Sequence, residues 1–303
     1  MPQSWRHALN DYRELGIVLV AAVVGLTVQR PLVWWDRHQG IDTLLVVLVF
    51  ATAINIEAHS LRQLPALWRQ LAVALAVGIS LLPGLSWLAA HLIAHGSLRD
   101  GAMTIGLAPC EIASIGTTAI ALGDVTLAGG ILIGSTILTV SAAGPILAIE
   151  APQASIHPAH IIANLLIVVA APLVVGVAIR SSVRLPARTE SMASVTITAT
   201  VAALVALIAA EVHFSGRYIP VVVVIVLFVV VSAVVGRAIG MWSGLPIRKA
   251  LLLTTSMRDF AIAAGLAAAA FGPAAAAPLG LYGIAVLIWG TGSAGFMRAR
   301  PPG

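Results

Sequence analysis

The run SMRDFAIA, Ser256 to Ala263, sets an Arg-Asp pair inside an otherwise apolar segment, with LLLTT before it and AGLAAAA after it. A charged side chain at the centre of a membrane-spanning helix costs about 2.5–3.5 kcal/mol on insertion scales. A continuous lipid-facing helix is therefore a poor home for Arg258. The run reads as an interruption, and broken backbone at membrane depth is tolerated only where it is buried in protein or lines a cavity.

The rest of the chain agrees with a membrane setting. Of 303 residues, 59% are hydrophobic and 10% charged, and the mean hydropathy is +1.01. A hydrocarbon core about 30 Å thick takes roughly 20 apolar residues per helix, which leaves room for about ten spans. These are expected near 14–29, 41–57, 70–94, 101–122, 125–149, 158–179, 189–211, 219–241, 246–271 and 278–297. Abundant Gly and Ala suit close helix packing rather than the alternating strands of a β-barrel. The fold expected is an all-α polytopic membrane protein.

The basic residues sort by loop. Twelve fall on one side (Arg6, Arg13, Arg62, Arg69, Arg180, Arg184, Arg188, Arg237, Arg248, Lys249, Arg298 and Arg300) and four on the other (Arg30, Arg37, Arg99 and Arg217). The positive-inside rule then puts both termini in the cytoplasm, in a cytoplasmic or inner membrane. The sequence pI near 10.3 is thus a topology signal and implies no nucleic-acid partner. The start, MPQSWRHALNDYRELG, lacks the pattern of a cleavable signal. The single cysteine, Cys110, excludes an intrachain disulfide and a Cys-based zinc site. Nothing resembles a P-loop, a nucleophile elbow or a metalloprotease helix, so no enzyme, cofactor or metal centre is expected.

An offset of 149 residues lays Arg99 on Arg248 and aligns two similar designs. In each a span opens with a basic residue, a polar break interrupts it (APCEIAS, then SMRDFAIA), an Ala-rich half follows, and a Gly turn closes it at Gly123 and Gly272. The chain reads as two five-helix repeats, 1–150 and 151–303. Five is odd, so the second is inverted relative to the first, and paired interrupted helices in such halves point to a transporter's binding site.

At these residues the sequence resembles the bile acid:sodium symporter family, within the wider bile acid, arsenite and riboflavin transporter group. GLAPCEIASIGTTAIALGDVTLAGG (Gly106 to Gly130) is similar to the family's fourth-helix segment, SGLPIRKA (Ser243 to Ala250) to the loop before its ninth helix, and VFATAINIEAHSLRQL (Val49 to Leu64) to the end of its second. The resemblance implies crossing, unwound helices 4 and 9. It also implies a core domain of helices 3–5 and 8–10, a panel domain of helices 1, 2, 6 and 7, and alternating access for a small organic anion.

Carried over by position, the family's sodium ligands are mostly absent. Ser114 is kept, but Ile115 replaces an Asn, Ala128 and Leu132 replace hydroxyl residues, Thr254 replaces a Glu, Arg258 replaces a Gln, and a further Gln falls near Gly78. Sodium is a hard cation that needs several oxygen ligands. Arg258 is expected to stand in its place as a fixed cation, paired with Glu111 or Asp259, and proton coupling through those carboxylates is the alternative driving force. Glu111 has a second reading as a cap on the half-helix it precedes.

Ser114, Thr117, Thr118, Thr254 and Thr255 offer hydroxyls to a substrate, or serve as interhelical glue. Asn55 and Asn164 are expected to face the cavity from the panel side. Cys110 opens a different class, an arsenite-type exporter, because soft metalloids favour thiolate. A non-transporting membrane receptor of the same fold is the third. Substrate identity and oligomeric state leave no mark on the sequence.

Overall fold

The computed structural model describes residues 16–17, 20–36, 39–55, 60–94, 96–152, 156–183, 186–210 and 216–299. It is helical throughout, and among the described residues the only β-pairing is one isolated antiparallel bridge, Cys110 with Arg258. The helices are α1 (Gln29–Asp36), α2 (Gly40–Asn55), α3 (Trp68–Ile79), α4 (Leu81–Ala90), α5 (Gly96–Met103), α6 (Ala113–Ile120) and α7 (Val125–Glu150). They continue with α8 (Pro158–Leu165), α9 (Ala171–Ser182), α10 (Ala187–Ala210), α11 (Ile219–Ile239), α12 (Leu245–Ser256), α13 (Phe260–Phe271) and α14 (Ala277–Ala299).

Six helices among the described residues are long and apolar enough to cross a membrane, or seven if the bent pair Gln29–Trp35 and Gly40–Ile54 is one span. The ten expected spans are not all single helices, for a physical reason. The expected span 101–122 is split into α5 and α6, and 246–271 into α12 and α13, so each contributes two short pieces. The first expected span, 14–29, lies partly outside the described residues.

Local sequence explains the breaks. After α5 the run TIGLAPC carries two helix-interrupting residues, Gly106 and Pro109, and Pro cannot donate to a helical ladder. In the second half Asp259 takes extended dihedrals (φ −70, ψ 105) and its Oδ1 accepts from Ile262 N at 2.8 Å, which starts α13 afresh as an N-cap. Gly272, at φ 91, ends α13 in a conformation that favours glycine. Asp124 caps α7 in the same way through Leu127 N at 2.9 Å, while its own amide donates to Pro246 O at 3.0 Å and ties the start of α7 to the start of α12.

The pieces pack in two neighbourhoods. α2 lies against α9 and α10, whereas α12 runs along α11, α7 along α3, and α14 against both α6 and α13. α10 touches α14 and α2 touches α13, so the two neighbourhoods meet beside the broken helices.

Candidate functional site

The two interruptions meet in space. Glu111 N donates to Met257 O at 2.8 Å and Asp259 N donates to Pro109 O at 2.9 Å, which frames Cys110 and Arg258 as the non-hydrogen-bonded pair of an antiparallel bridge. In such a pair the residues' own amides point away from the partner strand. They need outside acceptors, since an unsatisfied amide in a membrane interior costs several kcal/mol. Two hydroxyls supply them: Cys110 N donates to Ser135 Oγ of α7 at 3.1 Å, and Arg258 N donates to Tyr282 Oη of α14 at 2.9 Å.

The orphan carbonyls before the first break are met by the same device. Ser86 Oγ donates to Met103 O at 2.9 Å, and Thr139 Oγ1 donates to Leu107 O at 2.8 Å. Thr104 Oγ1 reaches across to Ala263 O of α13 at 3.1 Å. Ser135, Tyr282, Thr139 and Ser86 are therefore part of the crossover, and the sequence reading missed all four. Their signal was hydroxyl residues on spans neighbouring a break, which reads the same as ordinary interhelical glue.

The charged residues sit here, all buried: Glu111, Arg258 and Asp259 are 4%, 3% and 1% exposed. The expected ion pair is not formed, because no salt bridge joins the Arg258 guanidinium to Glu111 or Asp259. The carboxylates are engaged with backbone instead. Asp259 caps α13, and Glu111 Oε2 accepts from Phe260 N at 3.3 Å. Glu111 thus reaches the first amide of the opposite half-helix across the bridge, and it also accepts from the amides of Ile112 and Ala113 at the start of its own helix α6, so the expected cap is present as well. Arg258 Nε has no hydrogen-bond partner, and the guanidinium lies over Gly78 of α3, where a Cβ would meet Nη1 at 3.6 Å and Nη2 at 3.8 Å. A larger residue at 78 would fill the space that the Arg258 head occupies.

A cavity of about 210 Å³ opens beside the bridge, lined by Glu111, Thr117, Ser194, Thr198 and Thr291 among apolar neighbours that include Leu48 and Val201. It lies between α6 and α14 on one side and α2 and α10 on the other. Ile112 and Ala113, at the start of α6, also line it, so a half-helix N-terminus opens onto this space.

The other expected residues divide. Ser114 Oγ donates to Cys110 Sγ at 3.8 Å, and Thr117 Oγ1 donates to Met257 Sδ at 3.5 Å, so both belong to the crossover. Thr254 Oγ1 is spent on Ala250 O at 2.8 Å within its own helix. Thr255 packs against Gly236 of α11, away from the cavity, where a Cβ on that glycine would come within 3.0 Å of its Cβ. Thr118 Oγ1 is buried without a partner. Asn164 hydrogen-bonds the Asp42 side chain, joining α8 to α2, and does not line the cavity. The Asn55 side chain lies outside the described residues.

Compared with known proteins, the chain matches the model of the sodium bile acid symporter family over residues 43–239, more than half its length. No curated protein matches it. The matched stretch takes in the first interrupted helix and ends with α11, before the second.

Proposed function

This chain belongs to the sodium bile acid symporter family, and on that premise we propose that it is a secondary transporter of a small organic anion whose sodium requirement has been replaced by a cation of its own, Arg258. The observation that carries this reading is the Arg258 guanidinium: buried, in no salt bridge with the neighbouring carboxylates, and seated over Gly78 at the bridge between the two broken helices.

Bound sodium would offset the carboxylates and half-helix ends around a crossover, and a guanidinium on a covalent tether does the same without leaving. The charge that holds the two breaks together then no longer depends on an ion gradient. The driving force passes to the group that faces the cavity. Glu111 lines that space, and as a carboxylate it repels an incoming anion; a proton on it removes the repulsion, so anion and proton would move together. The α6 N-terminus supplies the positive end of a helix dipole for the substrate's carboxylate or sulfonate.

In this reading the half-helix pairs, with α3, α7, α11 and α14, move as a core against α2, α9 and α10, and the cavity opens alternately to either side of a cytoplasmic membrane. The termini lie in the cytoplasm. The arsenite-type alternative gains no support from Cys110, which is fully buried, is the only cysteine, and does not line the cavity.

The test is uptake of labelled organic anions, bile acids first, into proteoliposomes. Equal uptake in sodium and choline media, with stimulation by an imposed proton gradient, is the expected result. Uptake that collapses when choline replaces sodium overturns the fixed-cation reading. Saturable binding without flux in either medium would show a receptor of the same fold.

A further inference from the structure

A second cavity, of about 760 Å³, lies at the end of the bundle where α11 and α14 finish and α12 begins. It shares no lining residue with the Glu111 cavity: α14 turns Leu287 and Thr291 toward that one, and Ile288, Gly292 and Phe296 toward this one. From its chemistry we propose that this cleft binds an anionic phospholipid, with the phosphate held by Arg237 and Arg248 and an acyl chain laid along Ile288 and Phe296. The proposal is independent of the transport reading.

The charge is one-sided. Arg237, Arg248 and Lys249 line the cleft, and among the described residues no acidic side chain does. The partners of Arg248 and Lys249 are neutral. Arg248 Nη2 donates to Met241 O at 2.9 Å while its Nε is buried with no hydrogen-bond partner, and Lys249 Nζ donates to Ala121 O at 2.6 Å and Met297 O at 3.4 Å. Carbonyl oxygens leave the net charge of the cluster intact. The planar guanidinium fork matches the oxygens of a phosphate, as it does those of a carboxylate.

The walls point to a lipid rather than a free ion. Leu245, Ile288 and Phe296 are 46%, 49% and 59% exposed, an apolar surface from which a small inorganic ion gains nothing. An acyl chain covers it. The depth also fits a headgroup, because Trp242, in the turn between α11 and α12, is 91% exposed and Trp is enriched at the membrane interface. Basic pockets between membrane helices recognise anionic headgroups on this physical basis. Lys249 connects the cleft to the crossover, since its bond to Ala121 O holds the far end of α6, the half-helix that lines the substrate cavity.

The experiment melts the purified protein in neutral detergent with added phosphatidylglycerol, phosphatidylcholine or inorganic phosphate. Phosphatidylglycerol should raise the midpoint saturably, and the other two should not. The Arg237→Gln/Arg248→Gln double variant should need about tenfold more phosphatidylglycerol for the same shift, the loss expected when charge-assisted bonds go. Ile288→Trp tests the wall with every charge in place and should weaken the response as well. An equal shift with inorganic phosphate would make this a plain anion site. An equal shift with phosphatidylcholine, or an undiminished phosphatidylglycerol response in Ile288→Trp, would also overturn the proposal.

Discussion

The backbone amide of Arg258 donates to the hydroxyl of Tyr282 at 2.9 Å, and it has no backbone acceptor because the bridge to Cys110 turns it outward. Tyr282 is itself fully buried, its ring edge-on to Phe228. Tyr282→Phe keeps the ring and removes the acceptor, leaving a buried N–H unsatisfied at a cost of about 1–3 kcal/mol. Ser135→Ala does the same to the Cys110 amide. Each variant should melt several degrees below the parent. A midpoint unchanged in both would mean that the bridge does not depend on these hydroxyls.

Asp259 separates capping from charge. Its Oδ1 accepts from Ile262 N at 2.8 Å, a bond that Asn can reproduce and Ala cannot. Loss of an N-cap costs about 0.5–2 kcal/mol. Asp259→Ala should therefore lose stability by that amount, and Asp259→Asn should stay close to the parent in thermal melts. Should Asn fall as far as Ala, the negative charge itself matters to folding and the cap account fails.

Much of this architecture was legible in the sequence because it rests on short-range rules. Arg258 and Asp259 inside an apolar run announce a break, Pro109 announces its counterpart, and the 149-residue offset pairs them. The offset overshoots the contact by one residue, for it lays Cys110 on Asp259 while the bridge joins Cys110 to Arg258. The partners of the charges were legible only in part: Glu111 does cap the half-helix it precedes, but its bond across the bridge and the unpaired Arg258 were not foreseen. Opposite charges near one another in a membrane suggest an ion pair, yet the freshly started half-helices present free amides that claim the carboxylates first. Glu111 reaching Phe260 N depends on how the two strands are staggered, and nothing local encodes that. Gly78 carries no local sign that it lies under a guanidinium, and only the family resemblance put it in the same ion region as Arg258.

Gly106 marks a close approach of the first broken segment to α4. A Cβ there would collide with the Leu82 carbonyl oxygen and with Ser86 Oγ, the hydroxyl that also serves Met103 O. Backbone cannot yield as a flexible side chain can, so Gly106→Ala should cost about 1–3 kcal/mol or more as overpacking. Gly116, on α6, has open space around it, with nothing within 4 Å of where a methyl would sit, and Gly116→Ala is the matched control. The pair is read by melting and by expression level, with only the first variant expected to suffer.

Gly78 and Arg258 offer the sharpest test of the fixed cation, because the two can be varied toward each other. A methyl at 78 would touch Nη1 and Nη2 at ordinary van der Waals distances of 3.6 and 3.8 Å, and Gly inside a helix costs about 0.5–1 kcal/mol relative to Ala. Gly78→Ala should thus be neutral or stabilising. Gly78→Gln extends a longer side chain into the space where the guanidinium lies, and should destabilise by about 1–3 kcal/mol. Arg258→Gln shortens the opposing side chain and removes the charge, while the backbone bond to Tyr282 is kept. Residues in direct contact show interaction energies of about 0.5–3 kcal/mol in double-mutant cycles. The Gly78→Gln/Arg258→Gln protein should therefore recover most of the stability lost in Gly78→Gln alone, yet fail to transport, because the cation at the crossover is gone. Additive losses would place the guanidinium elsewhere. Recovery of transport along with stability would show that its charge is dispensable.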